Sequence, residues 1–155
     1  MLKKVLKTLL TVIIISLIFA GIFIVIANNY LADKIEKELV HYQLPENTEL
    51  IDSVSVAGKL TGSGNGMQYM GAILVKSNLS VNELKDYYSS EFEFIEVREQ
   101  ISPELEFDTS GNYGFDKKLK LEEGNYYSII CWDSEKLEIF GDFISGLLDL
   151  DIRGH

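Results

Sequence analysis

TLLTVIIISLIFAGIFIVIA, the stretch from Thr8 to Ala27, contains no charged side chain and is dominated by Ile, Leu, Val and Phe. Wound as a helix at about 1.5 Å per residue, a run of this length reaches roughly 30 Å, the thickness of the hydrocarbon core of a bilayer. It is therefore read as a transmembrane helix. Lys3, Lys4 and Lys7 precede it, and Asn28, Asn29 and Tyr30 follow it without a basic residue. The positive-inside bias then places residues 1–7 in the cytoplasm and everything beyond Ala27 outside, in a single-pass plasma-membrane protein. A cleaved signal peptide is the competing reading, since Val25-Ile26-Ala27 resembles a processing site. The run exceeds the roughly 7–15 apolar residues of a signal sequence, which favours an uncleaved anchor. No cysteine stands directly after the run to carry a lipid at a processed end. The run also lacks the ionisable residue that marks an ion or proton path.

Charge is divided by this segment. Three of the 14 basic residues precede it and all 24 acidic residues follow, so the remainder carries 11 positive against 24 negative side chains. So negative a surface repels phosphate backbones, which argues against a nucleic-acid partner, and it disfavours anionic lipid headgroups. Cys131 is the single cysteine. No internal disulfide or thiolate-rich metal site can be built, and its place in the apolar run Tyr126 to Trp132 predicts a buried, inert thiol.

Beyond Ala27, Leu31, Ile35, Leu39 and Tyr42 recur at near-heptad spacing, and Lys34 with Glu38 and Asp33 with Lys37 stand one turn apart. The pattern predicts a juxtamembrane helical stalk over 28–45, stopped by Pro45, that packs on its own domain or forms a short dimer seam. Residues 46–155 are read as one extracytoplasmic α+β domain, an antiparallel sheet of about five or six strands packed by one helix. Leu50 to Leu60 and Met67 to Lys76 are the first two expected strands, joined by a glycine-rich loop, Gly62-Ser63-Gly64-Asn65-Gly66. A strand follows that loop, whereas phosphate-cradling loops lead into a helix, so a hairpin turn is expected there. Ser80 with Glu83 has the spacing of a capping box, with Leu79 and Leu84 at staple positions. Val81, Leu84, Tyr88 and Phe92 then continue one helical face. Further strands are expected over Phe92 to Glu99, Phe115 to Leu121, Tyr126 to Trp132 and Leu137 to Gly141, with Ile101 to Gly114 a loop and Phe143 to Leu150 a strand or short helix.

Chemistry-bearing groups are sparse. The two histidines, His41 and His155, are poorly located for a nucleophile and acid–base arrangement. Asp149, Asp151 and His155 lack metalloenzyme spacing. Glu104, Glu106 and Asp108 alternate within the longest loop and are the candidate cation-binding or acid–base cluster, although 24 acidic residues make such clusters common. Asn78-Leu79-Ser80 matches the glycan-acceptor pattern, which matters only on a eukaryotic secretory route. No catalytic residue and no cofactor site is expected. The aromatic patches at Phe92 and Phe94 and at Tyr126, Tyr127 and Trp132 fit strand packing, and any exposed part would suit protein contact.

An apolar amino-terminal helix running into a stalk and an antiparallel sheet resembles the architecture of type IV pilins. The resemblance covers no motif. Pilins carry a Glu a few residues into the apolar stretch, whereas no acidic residue occurs here between Met1 and Asn29. The expected function is a membrane-tethered, non-enzymatic module of the cell envelope, held in lipid through residues 8–27 and contacting a protein partner or itself. A small-ligand or cation-binding domain or an enzyme using the acidic loop, and a pilin-like subunit, are the alternatives.

Overall fold

The computed structural model describes residues 2–58, 60, 68–101, 104–105, 113–116 and 118–133. A helix, α1 (Leu2–His41), runs for 40 residues without a break. It contains no proline, and it ends four residues before Pro45, where the Tyr42 N–H donates to both the Glu38 and Leu39 carbonyls. The apolar run and the residues after it are thus one rod, with no hinge between them.

Four strands follow in one antiparallel sheet: β1 (Thr48–Gly58), β2 (Gln68–Ser77), β3 (Ile95–Glu99) and β6 (Tyr126–Asp133). Their spatial order is β1-β2-β6-β3. Both expected strands flanking the glycine-rich loop form, pairing from Thr48 with Ser77 to Gly58 with Gln68, with an irregularity between Leu50 and Asp52. β6 lies between β2 and β3, which agrees with its continuous apolar sequence. A second, two-stranded ladder joins β4 (Glu104–Leu105) to β5 (Tyr113–Gly114) inside the segment expected to be loop.

The α+β class stands, but the strand number is corrected: among the described residues the main sheet has four strands, not five or six. No described residue from Phe115 to Leu121 is in a strand. The reason is that both edges of β6, the expected hairpin partner, are occupied by β2 and β3. Phe115 is buried instead against the sheet face made by Val54, Val56, Met70, Ala72, Leu74 and Ile130, with Leu119 and Leu121 packed on the same cluster. β3 also begins three residues later than expected, because the Phe92 N–H still donates to the Tyr88 carbonyl at the helix end. The expected strand at Leu137 to Gly141 and the segment Phe143 to Leu150 lie outside the described residues.

The other face of the sheet carries both helices. Helix α2 (Val81–Ser89) starts with the expected capping box: the Glu83 N–H donates to Ser80 Oγ at 3.3 Å and the Ser80 N–H to Glu83 Oε2 at 2.8 Å. Leu84 and Tyr88 are fully buried, and Leu79 packs on the same core. That core also contains Leu31, Ala32, Ile35 and Leu39 of α1 together with Ile73, Val75, Val97, Tyr127, Ile129 and Cys131 of the sheet. Burying each of the large aliphatics is worth roughly 1.5–3 kcal/mol, so the upper part of α1 contributes on the scale of a whole domain's stability of about 5–15 kcal/mol.

Candidate functional site

The feature that separates this molecule from a plain globular domain is α1, whose two halves meet different surroundings. From Leu2 to Phe23 its aliphatic and aromatic side chains are broadly exposed. Exposure then falls from 60% at Phe23 to 7% at Ile24 and 8% at Val25, and Asn28, Asn29, Leu31, Ala32, Ile35 and Leu39 are buried. The bare half is long and apolar enough to cross a membrane. Water would be a poor solvent for so large an apolar patch. An anchor and a signal sequence share that composition.

The docked half is positioned by a close backbone approach and by polar contacts. A Cβ on Gly71 of β2 would stand 2.4 Å from the Glu36 nitrogen and 2.7 Å from its Cα, so only glycine lets the helix backbone lie this close to the sheet. Around this point Ser53 Oγ donates to Glu36 Oε1 at 2.5 Å and Ser55 Oγ to Asp33 Oδ1 at 2.8 Å. Nearer the bare half, the Tyr69 hydroxyl donates to Asn28 Oδ1 at 2.9 Å in a buried site, and Asn29 Nδ2 donates back to the Val25 carbonyl. Asn28 Nδ2 is buried without a hydrogen-bond partner. The residues with near-heptad spacing, Leu31, Ile35 and Leu39, spend their apolar surface on this sheet, and Tyr42 packs beside them. A dimer seam through the same side chains would have to displace the sheet.

At the far end of α1, Tyr42 meets Tyr87, Tyr88 and Phe92 with ring centroids 5.6, 5.7 and 5.4 Å away. Tyr87 donates to the Gln43 carbonyl at 2.8 Å. The Tyr88 hydroxyl is buried without a partner. Burial, followed by the neighbouring Tyr87 and Tyr42 hydroxyls, raises its pKa well above the tyrosine value of 10.0. Burial raises Tyr127 as well, with help from the Glu99 and Glu83 carboxylates. Glu83 moves down, because the Ser80 hydroxyl and then the Ser80 backbone N–H both donate to its carboxylate.

Among the acidic-loop candidates, Glu104 lies in β4 opposite Gly114, whereas Glu106 and Asp108 fall outside the described residues. Asp149, Asp151 and His155 also fall outside them. Among the described residues no group of three or more His, Cys, Asp or Glu is placed to hold a metal ion. His41 ends α1 in an exposed position, its Nδ1 2.6 Å from the Lys37 carbonyl. Cys131 is a buried thiol outside any disulfide. Of the aromatic patches, Phe92 packs into the ring cluster, Tyr126 and Tyr127 are buried in the clusters on opposite faces of the sheet, and Phe94 is 41% exposed. The sequence reading missed the contacts that seat the helix. A glycine between Met70 and Ala72 in a strand-forming run was the available signal for a close backbone approach.

Compared with family models, with curated proteins and with solved structures, the chain matches none.

Proposed function

We propose that this chain is a single-pass membrane protein whose acidic domain, carried rigidly outside the bilayer, works by contacting another membrane or envelope protein rather than by catalysis. The observation that carries the reading is α1 itself: its lower half is bare and apolar, and its upper half is part of the domain's own core. A helix built this way holds the domain at a fixed height and tilt above the span, which suits a positioning or docking role. Lys3, Lys4 and Lys7 before the span favour a cytoplasmic amino terminus.

The test is mass spectrometry of the full-length chain extracted gently from its native membrane. An intact amino terminus together with one stoichiometric protein partner is the expected result. A chain cut after Ala27 and travelling alone would overturn the tethered reading, and turnover of a substrate by the isolated domain would overturn the non-enzymatic one. The unbroken helix seated on an antiparallel sheet also favours a pilin-like subunit as a second reading. Filaments containing the chain, seen by electron microscopy of cell-surface preparations, would place that reading first, and their absence from cells expressing it strongly would remove it.

A further inference from the structure

The sheet order β1-β2-β6-β3 leaves β1 and β3 as its two edges. At the β1 edge, Ser55, Val56 and Ala57 are no more than 1% exposed, backbone included, so no further strand can be added there. The β3 edge is different. β3 pairs with β6 from Ile95 with Cys131 to Glu99 with Tyr127. Just outside those pairs, the Trp132 N–H donates to the Phe94 carbonyl at 3.0 Å and the Gln100 N–H to the Tyr126 carbonyl at 2.8 Å. Opposed residues of an antiparallel pair alternate between exchanging hydrogen bonds and not exchanging them. Glu96 and Arg98 therefore bond to β6 as Phe94 and Gln100 do, and the N–H and C=O groups of Ile95, Val97 and Glu99 point away from it. Among the described residues none pairs with those outward groups, and the side chains of Arg98 and Glu99 are exposed.

Apolar surface brackets this edge. Among the described residues beyond Tyr30, the exposed large apolar side chains are Phe94 at 41% and Ile101 at 96%, one at each end of β3. In extended chain they stand roughly 23 Å apart. Charge along the edge is one-sided: Glu91, Glu93, Glu96 and Glu99 stand against Arg98, whose Nε lies 2.6 Å from Glu96 Oε1. Such an edge repels acidic strands and draws basic ones.

Symmetry decides against a second copy as the occupant. Antiparallel pairing of two β3 edges needs a twofold axis along the sheet normal. α1 lies along the face of the sheet, where Ser53 and Ser55 donate to Glu36 and Asp33, so that axis turns it end for end. The bare halves of the two copies would then point in opposite directions and could not enter one bilayer.

We propose that the outer edge of β3 is the docking edge of the domain, and that its occupant is an extended segment of a different envelope or membrane protein, with apolar residues alternating with lysine or arginine, which adds a fifth strand to the sheet. The inference rests on the protein-contact reading above and names the surface and the chemistry of that contact. Backbone bonds to Ile95, Val97 and Glu99 set the register, Phe94 and Ile101 receive the apolar ends, and the glutamates select basic side chains.

The experiment uses the full-length chain in an uncharged detergent, isotope-labelled for NMR, with a capped decapeptide of alternating valine and lysine as the probe. Without peptide, the amides of Ile95, Val97 and Glu99 should exchange with solvent faster than those of Glu96 and Arg98. With it, the three outward amides should slow by about tenfold or more while Glu96 and Arg98 stay as they were. A peptide alternating valine with glutamate should leave all five unchanged. Glu99→Pro removes an outward N–H and no bond to β6, so it should abolish peptide binding with the sheet intact. Glu99→Lys is the second variant should proline disturb the strand end, and it should weaken binding several-fold through charge alone. No slowing at the outward amides, or equal slowing by both peptides, would overturn the docking edge. The protein-contact reading then still stands if a stoichiometric partner co-purifies from the native membrane, whereas a chain that travels alone there would overturn both.

Discussion

Gly71 and Tyr88 show how much single atoms decide. At Gly71 the missing Cβ is the space that the Glu36 backbone fills. Backbone cannot rotate aside, so Gly71→Ala is expected to destabilise the domain by about 1–3 kcal/mol through overpacking, read as a lower thermal midpoint in detergent with an unchanged circular-dichroism spectrum at low temperature. Tyr88 poses the opposite problem, a hydroxyl held without a partner among Tyr42, Tyr87 and Phe92. Tyr88→Phe should stabilise by about 1 kcal/mol in a denaturant titration, because an unsatisfied buried polar group is removed at constant shape. It should also change the alkaline limb. The folded-state pKa of Tyr88 is raised, so the folded protein keeps a proton that the unfolded chain gives up near pH 10.0. The corresponding stability is complete below that pH and is lost as pH rises above it. The Phe variant should lose less stability above pH 10, and an unchanged alkaline limb would count against this account. The burial of Tyr88 was legible from its helical spacing, but its lack of a partner depends on side chains brought in from α1.

At the scale of elements, α2 was fully legible and α1 only half so. The capping box of α2 is local chemistry, three residues of spacing that any context would honour, and the structure reproduces it. It predicts a pH response: the Glu83 carboxylate is held below its ordinary value of 4.5. A lowered folded-state pKa gives stability that is present above the unfolded value and lost as pH falls through the folded one. Glu83→Gln should therefore flatten the acid limb of a midpoint-against-pH curve below about pH 4.5, while the amide still accepts from the Ser80 backbone. In α1 the apolar run, its continuation into a helical stalk and the heptad-like residues were plain from sequence, but the choice of the sheet rather than a second helix as the partner of Leu31, Ile35 and Leu39 was not. Periodicity tells which face of a helix is buried and is silent on what buries it. The Phe115 to Leu121 segment failed for a related reason, since alternation marks a strand only where a free strand edge exists to pair with it.

For the whole molecule, the rod of α1 joins a bare apolar half to a half built into the core. Removing residues 1–23 should leave a water-soluble domain with its sheet and helix cores intact, because the described core begins at Ile24. Removing residues 1–41 should give a chain that aggregates or binds a hydrophobic dye, since the sheet face around Ile73, Val75, Ile129 and Cys131 loses its cover. Size-exclusion chromatography and far-ultraviolet circular dichroism of the two truncations distinguish these outcomes. A folded, monomeric 42–155 fragment would show that α1 is a spacer and not part of the core.

The sequence by itself determined what depends on composition and short spacing: a charge-free run of bilayer length, an acidic remainder, an α+β pattern, a capped second helix and a lone buried cysteine. Each follows from solvation or from chemistry within a few residues, which no tertiary partner is needed to specify. Only the tertiary structure decided that the helix enters the domain, that Gly71 and the Asn28–Tyr69, Asp33–Ser55 and Glu36–Ser53 pairs seat it, and that the β1–β2 hairpin points back along it. Those features join residues 17 to 41 positions apart in the chain. Their pairing is set by strand order and register, which the pattern of a single strand or helix does not contain.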